Sequence, residues 1–321
     1  MILALAGGVG GSKLASGLAK RLAPSELIVV VNTGDDFRHL GLYVSPDLDT
    51  VMYTLAGRNN VETGWGLASE TWQFMDALAQ LGGEAWFRLG DRDLATHVER
   101  TRRLREGATL SEITAALCSA FGVAHRVVPM SDDPVATNVH TDAGPLPFQH
   151  YFVRHRSAPV VKSVEYGGVQ EASPSPTFRA ALEDADLRAI VIAPSNPFLS
   201  IGPILALAGV RDAIARAAVP VVAVSPIIAG EAVKGPAAKI MRELGHAPSA
   251  ATIGKLYAGL IDGLVIDERD RGLCGEIEAT GLRVCITNTL MRDPDDQARL
   301  AQVTLDFAAG AVASPKRDAW R

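Results

Sequence analysis

The chain opens with ILALAGGVGGSKL at residues 2–14. The first five of these residues are apolar and typical of a buried strand, whereas Leu14 and Leu18 begin a helical spacing of leucines. Four glycines in five positions lie between the two patterns and are followed by Ser12 and Lys13. Glycine lets a backbone approach a ligand closely, and the free N–H groups at a helix start attract anions. The stretch therefore predicts a strand, a phosphate-binding loop and a helix.

This loop matches neither of two common nucleotide-binding motifs. A Walker loop has a glycine directly before its lysine, whereas Ser12 stands directly before Lys13. Lys13 in turn stands where a dinucleotide fingerprint has its third glycine. A tight strand-to-helix turn without a ligand is the alternative, but four glycines are costly unless something must come close. We therefore expect an anion site. Its predicted residues are Gly8, Gly10, Gly11, Ser12 and Lys13.

Composition excludes several classes of protein. The 321 residues are 48% hydrophobic, which is enough for one large α/β domain or one domain with an insertion. The net charge of −5 argues against a nucleic-acid partner. Cys118, Cys274 and Cys285 have no paired spacing, so neither a disulfide framework nor a zinc site is expected. No signal peptide or membrane-spanning stretch is visible, which predicts a cytoplasmic protein without membrane contact.

A second apolar strand is predicted at 27–31, where Val and Ile dominate. A strand that follows a helix in this way is typical of a parallel βαβ unit, whose ligands lie beyond the carboxyl ends of the strands. This rule places Asp35 and Asp36 beside the glycine loop. A nicotinamide enzyme would usually carry an acidic residue directly at this strand end, where Asn32 and Thr33 stand instead.

The next motif begins with Ser45 and Pro46, which together favour a helix start. Acidic residues in a first helical turn suit the helix dipole, and this structural interpretation accounts for one of the two aspartates that follow. The functional interpretation is that Asp47 and Asp49, with Asp35 and Asp36 nearby, hold Mg²⁺ against a diphosphate. Both interpretations remain open at this point.

The middle of the chain shows helical patterns and then short strands. Helices are predicted at 65–81, 94–105 and 110–121. The charged turn at 87–93 either is a solvated helix start or directs Arg88 and Arg92 at substrate oxygens. Strands separated by turn residues are predicted at 126–130, 137–141, 149–153 and 159–166, which indicates a small antiparallel insert. Aromatic residues at 148–152 either line a pocket for a flat ligand or belong to the core.

Longer apolar strands then resume, and the overall pattern predicts an α/β fold. These strands are expected at 188–194, 220–224, 263–266 and 282–286, before a last helix at 295–309. The predicted fold is a doubly wound, mostly parallel sheet with an inserted α+β region. The predicted division is a core at 1–60 and 185–309, an insert at 61–184 and a tail at 310–321.

Taken together, these motifs resemble the 2-phospho-L-lactate transferase family. The matching stretches are AGGVGGSK at 6–13, VNTGDD at 31–36, SPDLDT at 45–50, LGDRD at 89–93, SNP at 195–197 with SIGP at 200–203, and KGP at 234–236. They occur in order over nearly the whole chain. The resemblance implies a Rossmann-like core with an added region over the active site, and a homodimer.

The same resemblance implies a step in the biosynthesis of coenzyme F420. A phospho-acyl group, of the 2-phospholactate or phosphoenolpyruvate type, passes from a guanylyl diphosphate donor such as lactyl-2-diphospho-5'-guanosine to a hydroxyl of the deazaflavin FO. The reaction uses Mg²⁺ and releases GMP. The sequence does not decide between lactyl, enolpyruvyl and glyceryl groups.

The resemblance also implies roles for particular residues. Asp49, Asp47, Arg88 and Arg92 are the expected catalytic residues. Asp49, Arg88 and Asp91 are expected to bind FO. Asp49, Asp47 and Asp35 are expected to bind the metal. Asn196, Ser200 and Lys234 are expected to join the glycine loop in binding the donor.

Two other functions stay open. One is a regulatory protein that binds a nucleotide sugar, because a related family with a similar glycine loop has regulatory roles. The SPDLDT and LGDRD motifs argue against this hypothesis. The other is a nicotinamide-dependent oxidoreductase, which the missing third glycine argues against.

Overall fold

The computed structural model describes residues 1–310. The tail predicted at 310–321 therefore lies outside the described residues, apart from Gly310, which ends the last helix. The strands are β1 (Ile2–Ala6), β2 (Leu27–Val31), β3 (Phe37–His39), β4 (Leu42–Val44), β5 (Arg126–Pro129), β6 (Ala136–Thr141), β7 (Gly144–Pro147), β8 (Val161–Gly167), β9 (Ala189–Ile192), β10 (Val221–Val224), β11 (Ile227–Ile228), β12 (Glu231–Ala232), β13 (Gly263–Asp267) and β14 (Arg283–Thr287). The α-helices are α1 (Gly8–Ala19), α2 (Pro46–Leu55), α3 (Gln73–Gln80), α4 (Asp91–Arg105), α5 (Leu110–Phe121), α6 (Pro176–Glu183), α7 (Gly202–Ala206), α8 (Val210–Arg216), α9 (Ala237–Glu243), α10 (Ala250–Leu256), α11 (Cys274–Glu278) and α12 (Pro294–Gly310).

The central sheet confirms the predicted fold class. Within residues 1–310 it has seven strands in the order β14-β13-β10-β9-β1-β2-β5, and all neighbours are parallel. The chain builds outward from β1 to β2 and β5, and then returns to build outward from β9 on the other side of β1. This reversal is the mark of a Rossmann-like, doubly wound sheet, in which ligands bind where the strand order reverses. The expected ligand crevice therefore lies between the ends of β1 and β9.

Alternating residues of each central strand enter two different cores. In β1, Leu3 and Leu5 pack in one hydrophobic cluster, whereas Ile2, Ala4 and Ala6 pack in the other. Side chains alternate between the faces of a strand, so both faces of the sheet are covered. Helices α1, α2 and α12 cover one face, and α8, α9 and α10 contribute to the other.

The turn from β1 into α1 depends on glycine. Gly8 has a φ of +62°, a conformation that L side chains rarely adopt. A Cβ atom at Gly10 would overlap the backbone carbonyl oxygen of Pro194, and a Cβ at Gly17 would overlap that of Gln297. Part of the glycine content of this stretch therefore serves close packing of α1 against the sheet and α12, and not ligand approach alone.

Three local predictions need correction. The strand predicted at 126–130 is β5, which pairs in parallel with β2 in the central sheet and does not belong to the antiparallel insert. The stretch predicted as a strand at 149–153 forms a π-helical turn, His150–Arg154. The helix predicted at 65–81 is confined to α3, because Gly66 and Ser69 adopt positive φ angles before it.

The small antiparallel sheet of the insert has the order β7-β6-β8. It packs through Val139 and Val161, together with Tyr151 of the π-helical turn, against residues that include Leu199 and Ile240. The insert thus reaches the same edge of the core as the ends of β1 and β9. The division of the chain into core and insert stays a prediction. Strand β5 lies within the predicted insert in sequence and pairs with β2 of the central sheet.

In residues 1–310, no single helix is long and apolar enough to cross a membrane. Two consecutive helical segments, Pro197–Ala206 and Val210–Arg216, pass that test of length and composition only as a pair that bends by 88°.

Candidate active site

A cavity of about 570 Å³ lies where the strand order reverses. The glycine loop forms one part of its wall, and the first turn of α2, the ends of β9, β10 and β14, and the insert form the others. Its lining includes ten of the residues predicted from the sequence. These are Gly8, Gly10, Lys13, Asp35, Asp47, Asp49, Arg88, Asn196, Ser200 and Lys234.

One end of the cavity is cationic. Lys13 and Lys234 both line it, and the Nζ atoms of the two side chains donate to the carbonyl oxygens of Met291 (2.7 Å) and Thr63 (2.9 Å). Burial and the nearby charge of Lys234 lower the pKa of Lys13. The glycine loop at the start of α1 lines the same cavity, and the start of a helix carries partial positive charge. An anion placed here would relieve the repulsion between the two lysines.

Two buried carboxylates lie beside the glycine loop. The Oδ1 atom of Asp47 accepts a 2.8 Å hydrogen bond from the backbone N–H of Gly8. The side-chain amide of Asn32 donates to Asp35 and to Asp47, at 3.0 Å in each case. Gln149 of the insert adds a longer bond to Asp35. One amide thus joins the carboxylate that follows β2 to the carboxylate that begins α2.

The groups around Asp35 and Asp47 compensate only part of the negative charge of these two carboxylates. Burial, followed by the charges of Asp47 and Asp36, raises the pKa of Asp35 well above its ordinary value. Burial raises the pKa of Asp47 to about 6, although Asn32 and Gly8 donate hydrogen bonds to it. Two desolvated carboxylates that repel each other favour either a shared proton or a bound cation.

Asp49 lies in a different group from Asp47. Its two oxygens accept hydrogen bonds from both terminal nitrogens of Arg100, a side chain of α4 that is only 2% exposed. Two residues apart on a helix, Asp47 and Asp49 point in directions about 200° apart. The predicted cluster of Asp35, Asp47 and Asp49 is therefore divided in two, with Asp35 and Asp47 at the glycine loop and Asp49 against α4.

A histidine and a further aspartate complete the group around Asp49. His97 Nδ1 lies 3.7 Å from Asp49 Oδ2, and His97 Nε2 lies 3.4 Å from Asp93 Oδ2. Tyr53 donates a 2.6 Å hydrogen bond to Asp93. One ligand atom each from Asp49, Asp93 and His97 lies within 4.8 Å of the others, so these three residues could hold a metal ion.

The Arg100 guanidinium also contacts His97. It has only donors, and one of its nitrogens lies 3.3 Å from His97 Nδ1, so Nδ1 is the acceptor in that contact. The other ring nitrogen, Nε2, is buried without a hydrogen-bond partner among the described residues.

Apolar and aromatic side chains form the remaining wall. Phe148 and Phe152 of the insert stack with ring centroids 5.4 Å apart and planes within 10°. Phe87 and Trp65 also line the cavity, and Trp65 is 48% exposed. The cavity thus combines a cationic end, a carboxylate wall and surfaces suited to flat rings.

Four predicted residues lie outside the cavity lining that the described residues form. A Cβ at Gly11 would come within 2.6 Å of the Ser195 hydroxyl, and the Ser12 hydroxyl donates to the carbonyl of Val9. Both therefore serve the packing of α1.

The other two belong to helix starts. Asp91 accepts hydrogen bonds from the backbone N–H groups of Gln73 and Phe74, which begin α3. Glu70 in turn accepts from the backbone N–H groups of Arg92 and Asp93, which begin α4. Asp91 of the LGDRD motif therefore caps α3, and Glu70, which precedes α3, caps α4. The Arg92 guanidinium donates to the carbonyl of Ala68 and does not face the cavity.

Three other predicted residues line the cavity, but each also faces or contacts another part of the chain. Gly10 lines it, but the side of Gly10 where a Cβ would stand faces Pro194. The Asn196 side-chain oxygen accepts from the N–H groups of Phe198 and Leu199, so its amide nitrogen remains as the donor. Arg88 lines the cavity while pairing with Asp76 at 3.1 Å.

Asn32, Tyr53, His97 and Arg100 are site residues that sequence analysis missed. A usable signal existed: Asp93, His97 and Arg100 follow the spacing i, i+4, i+7, which places them on one face of α4. Charged side chains on a buried helix face require oppositely charged or hydrogen-bonding partners on the element that packs against it.

Comparison with known proteins agrees with this architecture. A family model described as 2-phospho-L-lactate transferase CofD matches residues 2–285. The phosphoenolpyruvate transferase of Streptomyces griseus is 43% identical over 313 residues, which cover 96% of this chain and 98% of that protein. The 2-phospho-L-lactate transferase of Methanosarcina mazei is 39% identical over 304 residues, which cover 95% and 99%.

Among solved structures, a UPF0052 family protein from Bacillus halodurans has a TM-score of 0.62 at 14% identity, covering 95% of this chain and 98% of that one. This likeness concerns the fold alone. The family model and the two relatives show the family as well as the fold. The model matches residues 2–285, and the relatives are 43% and 39% identical over nearly the whole chain. The chain is therefore a transferase that belongs to the 2-phospho-L-lactate transferase family.

Proposed function

We propose that this chain transfers a phospho-acyl group, of the 2-phospholactate or phosphoenolpyruvate type, from a guanylyl diphosphate donor to the deazaflavin FO in coenzyme F420 biosynthesis. The observation that carries the proposal is the cavity, in which a glycine loop and two lysines face buried carboxylates. The names of the two relatives, a phosphoenolpyruvate transferase and a 2-phospho-L-lactate transferase, support both acyl types. Membership of a transferase family favours this function over a nicotinamide enzyme or a nucleotide-sugar regulator.

The donor fits the cationic end. A guanylyl diphosphate carries its charge on the two phosphates, and Lys13, Lys234 and the glycine loop at the start of α1 all line the cavity. The guanosine would extend toward Asn196 and Ser200, which follow β9. FO, which has a flat ring system and a polar ribityl chain, suits the side with Phe148 and Phe152.

Mg²⁺ fits Asp35 and Asp47 better than it fits the group around Asp49. The first pair has only neutral donors and raised pKa values, so a cation would supply the missing positive charge. Asp49 already has the Arg100 guanidinium on both oxygens, and a second cation there would be repelled. Bound by Asp35 and Asp47, Mg²⁺ would neutralise charge on the diphosphate and on the leaving phosphate.

The transfer itself needs one bond made and one broken. The ribityl hydroxyl oxygen of FO bonds to the phosphorus that carries the acyl group, and the bond from that phosphorus to the bridging oxygen breaks, so that GMP leaves. We assign the hydroxyl proton to Asp49, whose pKa burial raises. Arg88 stands at the same cavity wall and would balance charge on the acyl carboxylate. Most of the catalysis comes from positioning and charge stabilisation.

The test is product analysis with purified protein. The chain is incubated with FO, Mg²⁺ and either the lactyl or the enolpyruvyl diphospho-guanosine donor, and products are identified by mass spectrometry. The proposal expects GMP and phospho-acylated FO in equal amounts with at least one donor, and loss of both products in Asp47→Asn. Asp306→Asn, an exposed carboxylate on α12, is the matched control and should keep full activity. Donor consumption without modified FO would contradict the proposal.

The homodimer implied by the resemblance remains a prediction. Size-exclusion chromatography with light scattering tests it directly, since one chain has a mass of 33.9 kDa.

A further inference from the structure

We propose that Arg100 is a positioning residue, which fixes the orientation of the Asp49 carboxylate toward the acceptor hydroxyl without touching the substrate itself. This inference rests on the proposed function. Arg100 is not part of the cavity lining, whereas Asp49 is, so Arg100 stands directly behind Asp49 as seen from the cavity.

The contact between the two side chains is made at two points. Nη1 of Arg100 donates to Oδ2 of Asp49 at 3.1 Å, and Nη2 donates to Oδ1. A planar guanidinium that binds both oxygens fixes the plane of the carboxylate, which a single hydrogen bond does not. Asp49 itself lines the cavity, so the carboxylate that Arg100 orients is the one available to a bound substrate.

The guanidinium is held from behind as well. Its Nη1 lies 3.3 Å from His97 Nδ1, and His97 Nε2 faces Asp93, which accepts a hydrogen bond from Tyr53. The chain from Tyr53 to Asp49 therefore consists of buried groups that restrain one another.

A purely stabilising role explains this arrangement poorly. Removing two charges from water costs about as much as their attraction returns, so a buried ion pair is weak ground for stability. The Nε–H of Arg100 is also buried without a hydrogen-bond partner among the described residues, which adds to the cost. Because the buried ion pair of Arg100 and Asp49 contributes little to stability and lies beside the cavity, we infer that its role is to orient the Asp49 carboxylate.

Arg100→Lys tests the inference, because lysine keeps the charge but contacts a carboxylate at one point. Activity with FO and the donor is measured in wild type, in this variant and in Arg103→Lys. Arg103 lies on the same helix, pairs with Glu99 at 2.6 Å and is partly exposed, so it is the matched control. Thermal unfolding confirms that each variant is folded.

We expect kcat of Arg100→Lys to fall about 100-fold, while KM for FO and for the donor changes less than about threefold. Arg103→Lys should stay within about twofold of wild type. A kcat of Arg100→Lys near that of wild type would overturn the inference while leaving the proposed function intact. A wild type that forms no product overturns the proposed function and this inference with it.

If Arg100→Lys does not fold, Arg100→Ala purified in methylguanidine replaces it. Removal of the side chain leaves room for a small guanidinium ion behind Asp49. Activity restored by methylguanidine and not by methylammonium at the same ionic strength supports the two-point contact. Equal restoration by both cations would show that only charge is needed, and would overturn the inference.

Discussion

The backbone N–H of Gly8 donates a 2.8 Å hydrogen bond to the side chain of Asp47. This bond joins the first residue of α1 to the first turn of α2, although 39 positions separate the two residues in the chain. The loop that is suited to phosphate and the carboxylate that is suited to a cation are thus held together. A diphosphate with its metal ion would meet both at once.

The contribution of Asp47 to the stability of the metal-free protein should fall as the pH rises from about 4 to about 6. Asp47 has an ordinary pKa of 3.8 when unfolded, whereas burial raises the pKa to about 6 in the folded chain. Between these values the folded state binds the extra proton, so each rise in pH favours unfolding, by about 3 kcal/mol in total.

Thermal unfolding in a chelating buffer between pH 4 and pH 8 measures this effect. The difference between wild type and Asp47→Asn isolates it from the other carboxylates, and that difference should stop changing above about pH 6.5. A difference that is constant across the range, or that favours wild type as the pH rises, would contradict the burial of an uncompensated charge.

Mg²⁺ should raise the melting temperature of wild type at pH 7.5 and should have little effect on Asp35→Asn. The variant keeps an oxygen that can accept from Asn32 but removes one of two repelling carboxylates. Without metal it should therefore be the more stable protein, by about 1–2 kcal/mol. Differential scanning fluorimetry with and without Mg²⁺ makes the comparison, with Asp306→Asn as control. An equal Mg²⁺ response in Asp35→Asn would place the metal elsewhere.

The sheet could be predicted from sequence because its signals are local. Five consecutive apolar residues in β1 and again in β2 leave little alternative to buried parallel strands. The stretch at 149–153 has no such signal. There, Tyr151 is buried by the insert and Gln149 bonds to Asp35, and these contacts between distant residues set the conformation.

The types of residue in the site could be predicted from the sequence, but the contacts between these residues could not. Asp47 and Asp49 are both near the glycine loop in sequence, yet helical geometry sends them to different partners. Arg100 could not be paired with Asp49 from sequence alone, because 51 positions separate them and α4 had to be docked first. Glu70 and Asp91 are charged residues whose role is structural. Each accepts hydrogen bonds from backbone N–H groups at the start of a helix that is distant in sequence, which only the fold reveals.

Gly10→Ala should destabilise the protein by about 2 kcal/mol, because the added methyl group would overlap the carbonyl oxygen of Pro194. Affinity for both substrates should fall together, since the shift would move α1 as a unit. Chemical denaturation gives the stability, and Gly275→Ala is the control, because nothing lies within 4 Å of the methyl group it adds on α11. Full stability of Gly10→Ala with selective loss of the donor would mean that this position faces the phosphates.

Asn196→Asp should reduce the preference for GMP over AMP by about tenfold while leaving stability nearly unchanged. The carboxylate can still accept from the N–H groups of Phe198 and Leu199, but the amide donor available to the guanine carbonyl is lost. Competition by GMP and AMP against the donor measures the ratio. Asn196→Ala, which loses the cap as well, should be about 1 kcal/mol less stable. If AMP competes as well as GMP in wild type, the base is not recognised through Asn196.

We propose that the two groups of carboxylates have separate tasks, Asp35 and Asp47 on the donor side and Asp49 on the acceptor side. Titration calorimetry of GMP with Mg²⁺, and of FO, tests it in two variants. The first is Asp47→Asn. The second is Asp49→Asn combined with Arg100→Gln, because Asp49→Asn alone would leave a buried guanidinium unpaired at a cost of about 3–5 kcal/mol.

We expect a crossed pattern in these titrations. Asp47→Asn should lose the Mg²⁺-dependent part of GMP binding and keep wild-type affinity for FO. The double variant at Asp49 and Arg100 should bind GMP with Mg²⁺ as wild type does and lose affinity for FO. Loss of both ligands in both variants, or the reverse assignment, would contradict the division into a donor side and an acceptor side.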